Sequence, residues 1–326
     1  MKKVLVTGGA GYIGIHISLL LLENDIEVVI IDSLCTSNFK SIKRLFEYKK
    51  IANISLKFYK GDIRDLDFLR NVFSDSKNSG IPIDSVIHVA GLKSVFDSIS
   101  FPAVYWDVNV LGTFQILRIM KEFNCNNFVF SSSATIYNLD QKSPIEEDAQ
   151  IAPTNPYGNT KATVENILQD YANNNSEKWN IISLRYFNPI GAHPSGLFGE
   201  SPLKTPSNLF PYLCQVASLK REKLSIYGKN WPTNDGTCIR DFIHIMDLAD
   251  SHIASLNYLD DNKTKENSFI AINIGTGKGT SVLELVQTFE KVNKININKH
   301  FVKRRIGDKA VVYANAKMAK KILKWE

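Results

Sequence analysis

A doubly wound α/β fold, its parallel sheet covered by helices on both faces, is the architecture this sequence predicts. Short β-branched apolar runs alternate with longer amphipathic stretches through the first two-thirds of the 326 residues. The runs are apolar throughout rather than at every second position, as strands buried on both faces are. The first of them passes straight into a glycine-rich turn that opens a helix. Right-handed crossovers between successive parallel strands then give a doubly wound sheet of the Rossmann type.

Taken in order, Lys3–Thr7 is the first strand and Tyr12–Glu23 the first helix. Glu27–Asp32 and Leu56–Lys60 follow as strands, Asp65–Phe73 as a helix, Ser85–Ala90 as a strand and Pro102–Glu122 as a helix. Asn127–Ser131 and Ile181–Phe187 are strands on either side of a helix at Asn159–Ala172. After Phe187 the rhythm breaks. Residues 188–236 are rich in Pro, Gly, Ser and Asn, the composition of irregular structure that often carries a binding site. A helix at Met246–Asn257 and a strand at Ala271–Gly275 come next. Ser281 is the expected cap of a helix reaching Val292, with Glu284 three residues later completing a capping box. The break divides the chain into 1–187 and a smaller C-terminal α/β part, 188–326. With no flexible linker between them, the second is expected to fold onto the first.

Composition is that of a globular chain, 44% hydrophobic and 22% charged, which excludes low complexity and extended disorder. No apolar run approaches the roughly 18–20 residues that a membrane span needs. Met1-Lys2-Lys3 before Val4-Leu5-Val6 has the look of a signal peptide, but Gly8 and Gly9 interrupt the apolar stretch at once, so a cytoplasmic chain is expected. Cys35, Cys125, Cys214 and Cys238 lie far apart without Cys-x-x-Cys spacing, the pattern of reduced structural thiols rather than of zinc or disulfides. The histidines show no ligand spacing either, and no metal is expected. Net charge is +6, concentrated from Lys294 onward, where ten basic residues meet two acidic ones. Such a tail raises nucleic acid as a partner. However, Lys317, Lys320, Lys321 and Lys324 fit the solvated face of one helix, and neither a nucleic-acid nor a membrane partner is expected.

Thr7-Gly8-Gly9-Ala10-Gly11-Tyr12-Ile13-Gly14 closes the first strand and opens the first helix. Gly8, Gly11 and Gly14 suit a tight turn, close backbone approach to a pyrophosphate and close helix–strand packing, with the phosphates on the helix N-terminus. A lone glycine motif is weak; this one stands between strand and helix, with an Asp at the end of the second strand. Asp32 is placed to accept hydrogen bonds from the adenosine ribose hydroxyls and to repel a 2′-phosphate. No Arg or Lys follows it in Ser33-Leu34-Cys35-Thr36-Ser37, so NAD is expected rather than NADP. Asp62, after the third strand, is placed to contact adenine.

Tyr157-Gly158-Asn159-Thr160-Lys161 puts a phenol and an ammonium on one helix face. It follows a fifth strand that ends in Ser131-Ser132-Ser133. Free tyrosine, with a pKa of about 10, is a poor base at neutral pH. A Lys161 cation and a positively charged nicotinamide are expected to stabilise its phenolate, and Ser133 to hydrogen-bond the same substrate oxygen.

The Thr-Gly-x-x-Gly-x-x-Gly turn, the strand-five serine and Tyr-x-x-x-Lys together resemble the extended short-chain dehydrogenase/reductase family. His88–Lys93 (HVAGLK), Phe130–Tyr137 (FSSSATIY), Leu184–Ser195 (LRYFNPIGAHPS) and Arg240–Asp250 (RDFIHIMDLAD) narrow this. They are similar to the UDP-glucose 4-epimerases within that family, and the similarity runs over essentially the whole chain. The resemblance implies an isomerase in which Tyr157 takes the proton of the sugar 4-hydroxyl while the C4 hydride passes to NAD. The 4-keto sugar then turns over, and hydride returns to its other face. Implied NAD contacts are Gly8, Gly11, Tyr12, Ile13, Gly14, Asp32, Asp62, Ile63, Val89, Ala90, Gly91, Lys93, Asn109, Tyr157, Lys161 and Phe187. Implied nucleotide-sugar contacts are Ser133, Asn188, Asn208, Leu209, Arg240, Arg305, Asp308 and Val312. Residues 1–187 then form the NAD-binding domain and 188–326 the nucleotide-sugar part. The planar forks of Arg240 and Arg305 suit diphosphate oxygens. A homodimer through helices near 102–122 and 159–172 is implied as well.

Sister activities fit less well. Nucleotide-sugar dehydratases of the family carry an Asp-Glu pair after strand five, where this chain has Ala134 and Thr135, neither able to exchange protons at neutral pH. Non-catalytic dinucleotide sensors of this fold typically lose the Tyr or the Lys; here Tyr157, Lys161 and Ser133 are all kept. Glucose-restricted epimerases wall the sugar pocket with a Tyr four positions past the Asp of an Arg-x-Gly-Asp segment. Arg305-Ile306-Gly307-Asp308 leads to the smaller Val312 at that place, so UDP-N-acetylhexosamines are expected substrates beside UDP-glucose and UDP-galactose. Ser33 and Asn138 stand where the family often has Asn and Gly, and the chain stops at Lys324-Trp325-Glu326 where relatives continue through another helix.

Overall fold

The structure, a computed structural model, describes residues 2–49, 54–138, 140–174, 177–261, 267–305 and 307–325; Ile306, within the Arg305–Asp308 segment, lies outside them. The first part runs β1 (Lys3–Thr7), α1 (Tyr12–Glu23), β2 (Glu27–Asp32), α2 (Phe39–Lys49), β3 (Leu56–Lys60), α3 (Leu66–Asn78), β4 (Ser85–His88), α4 (Val95–Ser100) and α5 (Pro102–Tyr105). A π-helical stretch, Trp106–Leu111, joins α5 to α6 (Gly112–Glu122), and β5 (Asn127–Ser133), α7 (Pro156–Asn173) and β6 (Asn180–Tyr186) follow. Next come β7 (Asn188–Ile190), α8 (Leu209–Ala217), β8 (Leu224–Tyr227), β9 (Ile239–Arg240), β10 (Phe242–His244), α9 (Ile245–Asp261) and β11 (Ser268–Ile274). The chain closes with β12 (Thr280–Ser281), α10 (Val282–Asn293), β13 (Lys299–Val302), β14 (Val311–Val312) and a short π turn, Ala319–Leu323.

Seven strands form one sheet in the order β3-β2-β1-β4-β5-β6-β11, every neighbouring pair parallel. Alternate residues of each strand point to opposite faces, and both faces are apolar. Val4, Val6, Val28, Ile30, Val129, Ile182 and Leu184 pack on one side with α1 and α9. Leu5, Val29, Ile31, Phe128, Phe130 and Ile181 pack on the other with α3, α6 and α7. Each such aliphatic or Phe side chain contributes about 1.5–3 kcal/mol on burial. The last strand comes from beyond residue 187, and the C-terminal Leu323 and Trp325 join the first of these clusters, so the two parts share one sheet and one core. A separate cluster, with Leu213, Leu224, Ile226, Val286 and Ile297, holds α8, α10, β8 and β13 together. Lys317, Lys320, Lys321 and Lys324 stay exposed around the buried Ala319 and Leu323.

Several boundaries differ from the sequence expectation, and the causes are local. β5 runs two residues further, to Ser133, so that serine is the last residue of a strand rather than part of a loop. α7 starts three residues earlier because Asn155 caps it, accepting from Gly158 N at 2.9 Å, with Pro156 in the first turn. Asp65 caps α3, which continues to Asn78. α2 and α4 were not foreseen. α2 is amphipathic with its strongest apolar positions at Ile42 and Leu45, and α4 is a six-residue helix started by Ser94. The capping box of Ser281 and Glu284 is present, and α10 ends one residue past Val292. No helix among the described residues is long and apolar enough to cross a membrane.

Candidate active site

Strand order reverses between β1 and β4, the crevice where open α/β sheets take their ligands. The turn after β1 is built for close approach. Gly8 sits at φ +69°, and a Cβ there would lie 2.7 Å from the backbone N of Ala90. A Cβ at Gly14 would lie 2.3 Å from the Gly8 carbonyl oxygen, so the first turn of α1 packs directly on the loop. Gly11 precedes that helix, whose first turn carries no acidic residue. The positive end of its dipole is thus left for an anion, and these residues fit the diphosphate of a dinucleotide.

Around the turn the expected cofactor residues fall into two groups. Asp32, at the end of β2, accepts from Ala10 N at 3.0 Å, Leu34 N at 2.8 Å and Ser37 Oγ at 2.8 Å. It fastens two loops together, using three of the roughly four acceptor positions of a carboxylate. Asn109 is the buried residue of the π-helical stretch. Its amide brackets Leu92, accepting from Leu92 N at 2.8 Å and donating to Leu92 O at 3.1 Å, and also reaches Thr160 Oγ1 on α7 at 3.0 Å. It thereby ties the Val89–Lys93 loop to α7, with Gly91 pressed against its side chain. Tyr12 donates to the Gly191 carbonyl at 2.8 Å, joining α1 to the second part. The others are more peripheral. Asp62 is paired with Arg64 at 2.6 Å, which holds its carboxyl below the usual range. The Ile63 side chain is buried against Gly112. Lys93 is exposed and paired with Glu200 at 2.9 Å.

A buried histidine that the sequence reading left without a role underlies this loop. His88 Nδ1 lies 2.7 Å from Thr7 Oγ1, and Nε2 lies 2.9 Å from Thr113 Oγ1. Thr113 donates onward to the Asn109 carbonyl at 2.6 Å, and Thr7 Oγ1 accepts from Ala90 N at 3.3 Å. That chain of donors places the ring proton on Nε2. Burial, aided by the Lys161 cation, lowers the His88 pKa to about 3, so the ring is neutral.

The three proposed catalytic groups meet where β5 ends and α7 begins. Ser133 accepts from Thr135 N at 3.2 Å and from Thr135 Oγ1 at 3.0 Å, and its hydroxyl lies close enough to the Tyr157 phenol to favour the phenolate. Lys161 is buried, donates to the Ser131 carbonyl at 2.7 Å and stands 4.7 Å from the centre of the Phe130 ring and 6.0 Å from that of Tyr157. The expectation that Lys161 and a nicotinamide cation together stabilise the phenolate concerns the cofactor-bound state. Burial pushes Tyr157 up to about 12 despite the opposing influence of the Ser133 hydroxyl, and burial brings Lys161 down to about 8. In the protein alone, desolvation is the largest influence on both groups.

The nucleotide-sugar residues lie on small sheets beside this centre. Asn188 starts β7, which pairs with β10, and Phe187 just before it is buried with Ile136, Ala162 and Val312. Val312 pairs with Arg240 across β14 and β9. Arg240 is fixed by the carbonyls of Ile239 and Lys309, both at 2.8 Å, and by Asp308 at 3.1 Å. Asn208 precedes α8, so the Leu209 N–H lies in its uncapped first turn. Arg305 stacks on Tyr227, guanidinium carbon 3.9 Å from the ring centre. Tyr227 was missed by the sequence reading. Its signal was an aromatic residue closing an apolar run before Gly228, with no partner in the sequence to suggest a role. The Arg185–Glu165 ion pair behind Ser133 was missed too, both residues being buried within apolar or helical segments.

The chain matches the family described as GDP-mannose 4,6 dehydratase over residues 5–326. UDP-glucose 4-epimerase 2 of Arabidopsis thaliana is 47% identical, with 100% of this chain and 90% of that protein covered. UDP-glucose 4-epimerase of Bacillus subtilis is 44% identical, covering 99% of this chain and 91% of the relative. Among solved structures, the UDP-glucose-4-epimerase of Stenotrophomonas maltophila, with bound NAD and formylated UDP-arabinopyranose, superposes with a TM-score of 0.93 at 41% identity, over 100% of this chain and 93% of that one. The chain therefore belongs to the extended short-chain dehydrogenase/reductase family that includes the GDP-mannose 4,6-dehydratases, and sits within it among the UDP-glucose 4-epimerases.

Proposed function

We propose that this chain is an NAD-dependent isomerase that interconverts UDP-glucose and UDP-galactose at C4. The observation that carries this reading is the surroundings of Tyr157. Lys161 and Ser133 stand beside it, while Ala134 and Thr135 occupy the turn where an elimination needs an acid and a base. The glycine turn, the acid-free start of α1 and the Asp32 carboxylate fit NAD. When bound, NAD supplies the hydride acceptor for C4 and the donor that restores it. Tyr157, as the phenolate, takes the proton of the sugar O4 and gives it back in the second half-reaction, so the phenolate is regenerated each turnover. Ser133 holds that oxygen in line with the phenol. Because burial alone keeps Tyr157 protonated, the positive charges of Lys161 and of the cofactor ring are needed to release its proton. Arg240, Arg305, Asn188 and the start of α8 anchor the diphosphate, which lets the 4-keto sugar present either face to Tyr157 without leaving.

We further assign Val312 to the wall of the sugar pocket. It packs beside Phe187 and pairs with Arg240, between the catalytic and diphosphate groups, and its small side chain leaves room for an N-acetyl group at C2. Offered UDP-galactose and UDP-N-acetylgalactosamine without added NAD, the protein is expected to form both 4-epimers, followed by NMR. Val312→Tyr is expected to cut N-acetyl turnover by roughly 10–200-fold while sparing UDP-galactose. Silence toward both sugars, with NAD bound, would sink the epimerase reading; equal effects of Val312→Tyr on both would sink the assignment of the wall.

A homodimer belongs to the same proposal. Phe96, Ile99, Phe101, Val104, Leu111 and Phe114 are exposed along α4, α5, the π-helical stretch and α6, a larger apolar surface than a lone chain ordinarily leaves in water. The exposed residues of α7, Asn159, Asn166, Gln169, Asp170 and Asn173, are polar, so the contact centres on 95–114 rather than on both helices equally. Light scattering is expected to give twice 36.7 kDa, and Ile99→Glu with Phe101→Glu to give the monomer mass; a monomer before substitution removes the proposal. A cytoplasmic location goes with it, supported by four cysteines, all described, none of them in a disulfide.

A further inference from the structure

We infer that Asp241 is the positioning residue for the diphosphate-and-sugar half of the site, a role that rests on the epimerase reading above. Asp241 lies between β9 and β10 and is fully buried. Its Oδ1 accepts from Thr276 N at 2.8 Å and Thr276 Oγ1 at 2.7 Å, and its Oδ2 from Gly277 N at 3.0 Å and Ala314 N at 3.1 Å. Its own N–H donates to the Val312 carbonyl at 3.1 Å, and its carbonyl accepts from Asn188 N at 3.0 Å. One residue thus joins four stretches of chain: the Arg240 strand of which it is the next residue, β7 with Asn188, β14 with Val312 and the turn after β11.

A carboxylate is suited to this point in a way its amide is not. It offers about four acceptor positions, and four donors fill them. Hydrogen bonds to an ionised acceptor are about twice as strong as neutral ones, so the junction is stiff. The fit is close as well, since a Cβ at Gly275 would lie 2.6 Å from Oδ2. An asparagine there keeps the size but turns an NH2 toward two of the donors. Asn188, Arg240 and Val312 would then lose their common reference while keeping their own side chains. None of the six bonds reaches Ser133, Tyr157 or Lys161, which stand on β5 and α7, or the glycine turn after β1. The expected defect is therefore in holding the nucleotide-sugar, with the chemical step and the cofactor left as they are.

The test uses the full chain with its cofactor and reads UDP affinity by calorimetry, KM and kcat for UDP-galactose, and NAD content per chain. Asp241→Asn is expected to raise the UDP Kd and the KM by roughly ten- to a hundredfold, as the loss of one or two buried hydrogen bonds predicts. Thr276→Val removes the hydroxyl that donates to Oδ1, along with its exposed contacts to Lys278 within the same turn, and is expected to shift both in the same direction by less than about tenfold. In both variants kcat and NAD content stay near those of the unsubstituted chain. Unchanged Kd and KM, or a loss of kcat with KM unchanged, overturns the inference. If Asp241→Asn does not fold, Thr276→Val decides by the same criteria. An unsubstituted chain that binds UDP but does not turn over UDP-galactose overturns the epimerase reading, whereas tight UDP binding retained by the variants overturns only the role of Asp241.

Discussion

Tyr157→Phe is expected to lower kcat by roughly 10²–10⁴-fold, the range that removal of a positioned acid–base group costs, with bound NAD retained. The phenol oxygen is the only atom removed, and two facts limit what else changes. Ser133 keeps its hydrogen bonds from Thr135 N and Thr135 Oγ1, so no buried hydroxyl is stranded. The phenol is already held protonated by burial, with a pKa near 12, so the protein loses no buried charge. Melting temperature should therefore barely move. Kinetics, NAD released on denaturation and a melting curve check the three parts together. Turnover within tenfold of the parent would remove Tyr157 from the chemistry. Loss of NAD together with turnover would make the residue a cofactor contact rather than the proton carrier.

The pH dependence of the parent follows from its neighbour. Burial lowers Lys161 from 10.5 to about 8, so the cation that supports the phenolate is present below that pH and is lost above it. For stability the sign is the reverse of what attraction alone suggests. Between pH 8 and 10.5 the unfolded chain binds a proton at this lysine that the folded chain does not, so this group makes folding more favourable as pH rises through that window.

The site was legible where its parts are local in sequence. The glycine turn, Asp32 and the Tyr157–Lys161 pair each announce themselves within a few residues, because turn chemistry and helix spacing are short-range constraints. The sheet was equally legible, its strands marked by unbroken apolar runs. What could not be seen was anything set by the fold bringing distant segments together. Asp241 looks like any polar residue after an arginine; its importance lies in partners at 188, 276, 277, 312 and 314. His88 gains meaning only from Thr7 and Thr113, and α4 was hidden because six residues carry too little periodicity to read. The burial of the tyrosine was hidden for a related reason. Sequence shows which charges are near but not how much water burial removes, and desolvation is the larger effect at Tyr157.

The largest stability effect should come from a pair with no part in the chemistry. Glu165 lies on α7 one turn after Lys161, and Arg185 lies on β6; both are buried. They meet at 2.7 Å between Arg185 Nη2 and Glu165 Oε2, with Arg185 Nε 3.1 Å from Oε1. Ser132 and Ser183 donate to the same carboxylate at 2.6 and 2.8 Å, and the other guanidinium nitrogen reaches Tyr137 Oη at 2.8 Å and the Glu147 carbonyl at 2.7 Å. Burial pushes Arg185 toward the neutral form, but its pairing with Glu165 outweighs that, and its pKa is raised. Glu165→Met leaves the guanidinium buried without its counter-charge and is expected to cost about 3–5 kcal/mol in urea unfolding at pH 7. Arg185→Met strands the carboxylate and should cost a similar amount. The double variant, Glu165→Met with Arg185→Met, removes both charges and fills the space with apolar atoms, so it should be more stable than either single change. Simple addition of the two single effects would mean that the pair does not act as a unit. Because Ser132 is anchored to this carboxylate and Ser133 follows it in β5, a coupled result would also explain why a buried ion pair is kept here: it holds the strand end from which Ser133 reaches Tyr157.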